Sequence, residues 1–170
     1  MFSFATALIA LVTITIGVHA EHHNIRVINK CGRGTPYVMA GGKVLLKGEG
    51  NYGKDADISS AIAFLDTNGC YPDGLNCMTL ETTLVNGRSP GCPTHDPRYP
   101  CVSSTDLSLI RGQHRFNVPY KFWYEHGCDG AGHECEFYKY HQRCEWTFYQ
   151  PNDNQVQVQC PRNNVRRISL

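Results

Sequence analysis

Charge is absent from the opening of this chain. Residues 1–20, MFSFATALIALVTITIGVHA, contain no Asp, Glu, Lys or Arg, and the apolar run ends in the small-residue pattern Val18-His19-Ala20. A short apolar stretch closing on such a site predicts a cleaved secretory signal peptide rather than a membrane anchor. A single domain is then expected over 21–170, long enough to bury a core of its own. No later apolar run approaches membrane length, and the closing NNVRRISL lacks the apolar tail of a lipid-anchor signal. An excess of either sign of charge is also missing: 16 Lys+Arg against 15 Asp+Glu leave a formal net charge of +1. That balance supplies no field for capturing nucleic acid or an anionic membrane. No Asn-x-Ser/Thr sequon occurs, so N-glycosylation is not expected. No Cys-x-x-Cys pair occurs either, which argues against a zinc site. Internal repeats and low-complexity tracts are absent.

Cysteine, by contrast, is abundant: nine in the chain, all beyond residue 20. In a secreted chain of this size that density reads as a framework of structural disulfides. The same count, with 11% aromatic residues, argues against intrinsic disorder. Short alternating or β-rich runs recur at 24–28, 43–46, 78–85, 106–110, 116–118, 121–124, 145–149, 155–159 and 165–168, separated by Gly, Pro and Asn turns. Many short strands punctuated by turn residues predict an all-β sandwich or barrel. One segment conflicts with this pattern. In 57–65, Asp57 is a plausible helix cap and the apolar groups fall at helical spacing, so periodicity alone slightly favours a short helix. The stretch 92–101, with three prolines between Cys92 and Cys101, reads as a rigid surface loop.

Three ordered blocks resemble the thaumatin-like (osmotin) superfamily. The run Ile25-Arg26-Val27-Ile28-Asn29-Lys30-Cys31 is similar to the family's opening strand. Glu81-Thr82-Thr83-Leu84, Asp106-Leu107-Ser108-Leu109 and Phe116-Asn117-Val118-Pro119 follow the order of its core signature, which ends at Gly127-Cys128. The tail Val156-Gln157-Val158-Gln159-Cys160-Pro161, continued by 165–170, is similar to the closing strands. The likeness is nearest to the short, single-domain secreted type of fungi, often called glycopeptides. It implies a disulfide-stapled thaumatin-like β-sandwich without the large cysteine-rich second domain, because too few residues separate Cys128 from Cys160 to hold one. It also implies that 62–65 is a strand leading to Cys70, and this expectation overrides the helical periodicity.

Proximity or this resemblance pairs Cys70 with Cys77 and Cys92 with Cys101. The resemblance pairs Cys128 with Cys160, and short range alone pairs Cys135 with Cys144. Cys31 is left over: its counterpart in the family pairs with a cysteine at the extreme C-terminus, and this sequence reads Ile168-Ser169-Leu170 there. Either the partner has been lost or the sequence is truncated, and Cys31 is then expected as a buried thiol or in an intermolecular disulfide. A monomer is expected unless Cys31 joins two chains.

Large thaumatin-like proteins carry an acidic cleft implicated in β-1,3-glucan binding and weak hydrolysis. Of its residues, Glu81 matches the Glu and Asp106 the first Asp. The second Asp position falls near Arg111, no Arg lies between Ile58 and Cys70, and the last Asp belongs to the missing domain. Glycoside hydrolysis needs two carboxylates facing each other across a bond, one with a raised pKa. Glu81 and Asp106 could be neighbours on adjacent strands, but an open strand face supplies no wall to exclude water. Histidines at 22, 23, 95, 114, 126, 133 and 141 form no ligand motif, and no metal or cofactor is expected. Cleavage after Ala20 would place His23 third, where it could chelate Cu(II) incidentally with the free amine and two amides. Aromatic residues crowd the last third, and Tyr138-Lys139-Tyr140-His141 could offer Tyr138 and Tyr140 to the faces of sugar rings. The expected function is non-catalytic binding of cell-wall polysaccharide, β-glucan above all, outside the cell. The alternatives are a weak β-1,3-glucanase using Glu81 and Asp106, or a protein-directed inhibitor or host-directed factor.

Overall fold

The computed structural model describes residues 22–67, 69–86, 101–110, 112–136, 144–161 and 165–169. Its strands are β1 (His23–Ile28), β2 (Thr35–Ala40), β3 (Lys43–Lys47), β4 (Gly50–Lys54), β5 (Ile58–Asp66) and β6 (Thr79–Leu84) in the first half. They continue with β7 (Ser103–Ser108), β8 (Tyr120–Glu125), β9 (Gly132–Cys135), β10 (Thr147–Phe148), β11 (Val158–Cys160) and β12 (Val165–Ser169). No α-helix occurs among the described residues; a 3-10 turn at Asn154–Val156 leads into β11. One sheet runs β4-β1-β12-β8-β9, with β1 and β12 parallel. The other runs β10-β7-β6-β5-β2-β3. On its far side β7 is covered first by β11, opposite Ser103 to Thr105, and then by β10, opposite Leu107 and Ser108.

The two sheets face each other across one core. Ile25 and Val27 of β1 and Tyr120, Phe122 and Tyr124 of β8 meet Val38, Ala61, Ala63, Leu65, Leu80, Leu84 and Leu107 from the second sheet. Hydrogen bonds also cross the gap. Thr105, bonded within its own sheet to the Thr82 hydroxyl, reaches the Tyr124 hydroxyl of the other sheet at 3.3 Å. The Leu65 N–H donates to the Tyr120 hydroxyl at 2.8 Å. Burial pushes the Tyr120 pKa well above the ordinary tyrosine value, because its charged form would lose water.

The helical spacing in 57–65 belongs to a strand with a bulge. Between Ile58 and Ala61 the register against β6 shifts, and Ser60 takes a positive φ of 48°. The extra residue moves the inward set from Ile58 to Ala61, Ala63 and Leu65, so a period-2 strand mimics helical spacing. The run 116–118 is not a strand. Asn117 there spends its side chain on two main-chain partners, accepting from Met78 N–H at 3.1 Å and donating to Leu65 C=O at 2.9 Å. Residues 106–110 and 155–159 are also displaced from expectation: β7 ends at Ser108, and the 3-10 turn occupies Val156.

Disulfides join Cys70 to Cys77, Cys128 to Cys160 and Cys135 to Cys144. Cys101 is disulfide-bonded too, while Cys92 and most of the 92–101 loop lie outside the described residues, as do 1–20, Tyr138 and Tyr140. Cys31 has a free thiol, half-buried against the core. No helix among the described residues is long and apolar enough to cross a membrane.

Candidate functional site

Glu81 of β6 stands directly opposite Asp106 of β7 in one rung of the antiparallel ladder. Side chains opposite each other in such a rung share a face, so both carboxylates point the same way, outward from the core that Leu80 and Leu107 fill. Rungs on either side carry Thr79 with Ser108 and Thr83 with Ser104. The next strand inward places Ile62 against Glu81, and Met39 lies beyond Ile62. One row thus passes from apolar to acidic across four strands.

Asp106 is only 7% exposed, whereas Glu81 is half-buried and reaches solvent. The apolar end of this face is covered. Tyr37, Met39 and Phe64 pack with the Cys70–Cys77 bridge, and Tyr71 leans on the Tyr37 ring at 4.9 Å between centroids. The loop carrying that bridge is fastened by His114 to the Cys77 carbonyl and by Asn76 N–H to the Gln113 carbonyl. The buried hydroxyls of Thr79, Ser104 and Ser108 have no hydrogen-bond partner among the described residues, so the strip around the acids is polar. Two carboxylates side by side on such a face can accept hydrogen bonds. They do not face each other across a space that would hold a sugar ring.

Sequence reasoning singled out no role for the cavity that opens at the other sheet. A space of about 820 Å³ is lined by β8 and β9 and by the turn after Cys144. On β8 the alternation turns Tyr120, Phe122 and Tyr124 into the core and leaves Lys121 and Trp123 outside. Lys121 pairs with Glu134 of β9 at 3.0 Å, and the Trp123 indole N–H donates to Glu125 at 3.0 Å. Gly132 faces Trp123 so closely that a Cβ there would lie 2.6 Å from the Trp123 Cα. Trp146, 48% exposed, lies nearly coplanar on His133, with centroids 5.0 Å apart and planes 10° from parallel. His133 in turn meets the buried Phe122 ring edge-on at 6.0 Å. Burial lowers the His133 pKa below its ordinary value and so favours the neutral ring. His133 precedes Cys135 by two residues and Trp146 follows Cys144 by two, so the bridge between them brings the rings together. Given that pairing, the stack was available in the sequence.

His23 is wholly buried, and its main chain belongs to β1, paired with Lys54 of β4. Among the described residues no group of three His, Cys, Asp or Glu side chains could hold a metal ion. No family model and no curated protein matches this chain.

Proposed function

We propose that this chain is a secreted thaumatin-like β-sandwich that binds cell-wall polysaccharide, β-glucan in the first instance, without cleaving it. The observation that carries the reading is the rung itself: the two acidic positions that resemble the family's cleft stand opposite each other on one sheet face. Glu81 offers its carboxylate to the hydroxyl edge of a polysaccharide, with Asp106 packed deeper in the same face behind it. Lack of turnover follows from the same arrangement. A glycosidase places one carboxyl group at the leaving oxygen and the other at the anomeric carbon or its attacking water. Glu81 and Asp106 project in parallel, and Asp106 is nearly closed to solvent. Secretion is supported by the disulfide-bonded cysteines together with the apolar segment 1–20.

Retention on insoluble β-1,3-glucan, with reducing-sugar release measured on the same sample, tests the reading. Retention without release is the expected result. Glu81→Ala, alone or with Asp106→Asn, should weaken retention roughly two- to tenfold, the value of one or two polar contacts on an open face. Release of sugar by the parent would make the protein a glucanase. Failure of the parent to be retained would favour a protein partner.

A further inference from the structure

We propose that the cavity beside β9 is a sugar subsite in which Trp146 carries the apolar face of an uncharged pyranose and the surrounding charged side chains take its hydroxyls. The inference rests on the polysaccharide reading above but uses side chains other than Glu81 and Asp106.

The chemistry of the lining selects the ligand. A pyranose ring has a C–H face that packs on an aromatic plane and a rim of hydroxyls that both donate and accept. Trp146 presents such a plane to solvent. Glu145 lies beside it, and the Lys121–Glu134 pair stands on the neighbouring strands, giving acceptors and an ammonium donor around the platform. Three acids, Glu134, Glu136 and Glu145, line the space with one lysine, which disfavours phosphate groups and with them nucleic acid or a lipid headgroup. A wholly apolar ligand would take these charged groups out of water without replacing the bonds that water makes to them. The size is that of an ordinary ligand site rather than a packing defect.

The platform is also rigid before any ligand arrives. Trp146 rests on His133, His133 meets Phe122, and Phe122 is buried in the core. The Cys135–Cys144 bridge holds the two segments together. Little side-chain entropy is then left to lose on binding. His133 acts here as a positioning residue, since it sets the plane of the indole.

Both tryptophans of the chain, Trp123 and Trp146, line this cavity, so intrinsic tryptophan fluorescence reports on this site alone. The experiment titrates the full protein with soluble β-1,3-gluco-oligosaccharides and runs the insoluble-glucan retention assay in parallel. A saturable fluorescence change is expected. Trp146→Ala should weaken retention about tenfold, and Trp146→Phe, which keeps an aromatic plane, should restore most of it. Circular dichroism establishes that each variant folds; should Trp146→Ala not fold, Trp146→Phe against Glu145→Ala makes the same comparison. Parent and Trp146→Ala retained equally would overturn the subsite and leave the glucan reading standing. If the parent is not retained, the glucan reading fails, and mannan and chitin oligomers are titrated next. A tryptophan signal with either, lost in Trp146→Ala, supports the subsite; no signal with any neutral sugar overturns it.

Discussion

Leu65 shows how single side chains complete this fold. Pairing between β5 and β6 ends with Ala63 opposite Leu80, so the main chain of Leu65 has run past its neighbouring strand. On the other side it faces Pro36 of β2, which has no N–H to give. Tyr120 and Asn117 take over: the tyrosine hydroxyl accepts the Leu65 N–H, and the Asn117 amide donates to its carbonyl while accepting from Met78. The Asn117 carboxamide therefore substitutes for one rung of the ladder. Asn117→Ala should cost about 1–3 kcal/mol, the penalty for orphaning main-chain groups in a closed environment. Asn117→Asp should be at least as damaging, because a carboxylate cannot donate to Leu65. Urea unfolding midpoints measure both. His133 gives a pH-dependent counterpart. Its pKa is lower in the folded chain than its ordinary value of 6.5, so its contribution to stability is full above that value. Stability should fall as pH drops from there through the lowered value, and His133→Gln should flatten that part of a melting-temperature profile.

Elements differ in how openly the sequence declares them. β1, β6 and β8 alternate in apolar and polar residues because each has one face on the core, and all three can be read directly. β4 and β9 leave almost no trace. They are the two edges of the five-stranded sheet, and Gly50-Asn51-Tyr52-Gly53-Lys54 and Gly132-His133-Glu134-Cys135 have little apolar surface to bury. β5 misleads for a different reason, since its bulge imposes helical spacing on a strand. The candidate sites divide in the same way. Glu81 and Asp106 sit in matching flanks on neighbouring strands, and that adjacency is visible in the sequence. The His133–Trp146 stack needs the Cys135–Cys144 pairing, which short range suggests, and also an edge strand that the sequence does not announce, so the spacing allows the stack and the folded chain shows it. β9 is also where a glycine has a specific task. Gly132 lets β9 approach β8 at Trp123, and any Cβ would meet main chain rather than a movable side chain. Gly132→Ala should push β9 off the sheet edge, reduce stability by about 1–3 kcal/mol and disturb the Trp123 emission.

At the scale of the whole molecule, the two sheets are joined by few covalent links, and these are unequal. Cys128 follows β8 of the five-stranded sheet, whereas Cys160 ends β11 beside β7, so their bridge ties one sheet to the other across a sequence separation of 32. Cys135–Cys144 and Cys70–Cys77 close separations of only 9 and 7. A cross-link stabilises chiefly by shrinking the unfolded ensemble, and the effect grows slowly with loop length. On that basis the Cys128–Cys160 bridge should contribute about 3–4 kcal/mol and each short bridge about 2.5 kcal/mol. Paired Cys→Ser variants of each bridge separate energy from function. Removing Cys128–Cys160 should give the largest fall in unfolding midpoint, because it loosens the contact between sheets, yet spare the tryptophan platform in whatever fraction stays folded. Removing Cys135–Cys144 should lower stability less but free Trp146 from His133, shifting fluorescence and sugar retention more than the midpoint. Equal functional loss in both variants would mean that the platform depends on global stability rather than on the bridge beside it. The parent protein, denatured without reductant, should expose one reactive thiol, Cys31; a count of three would show that one of the four expected bridges does not form.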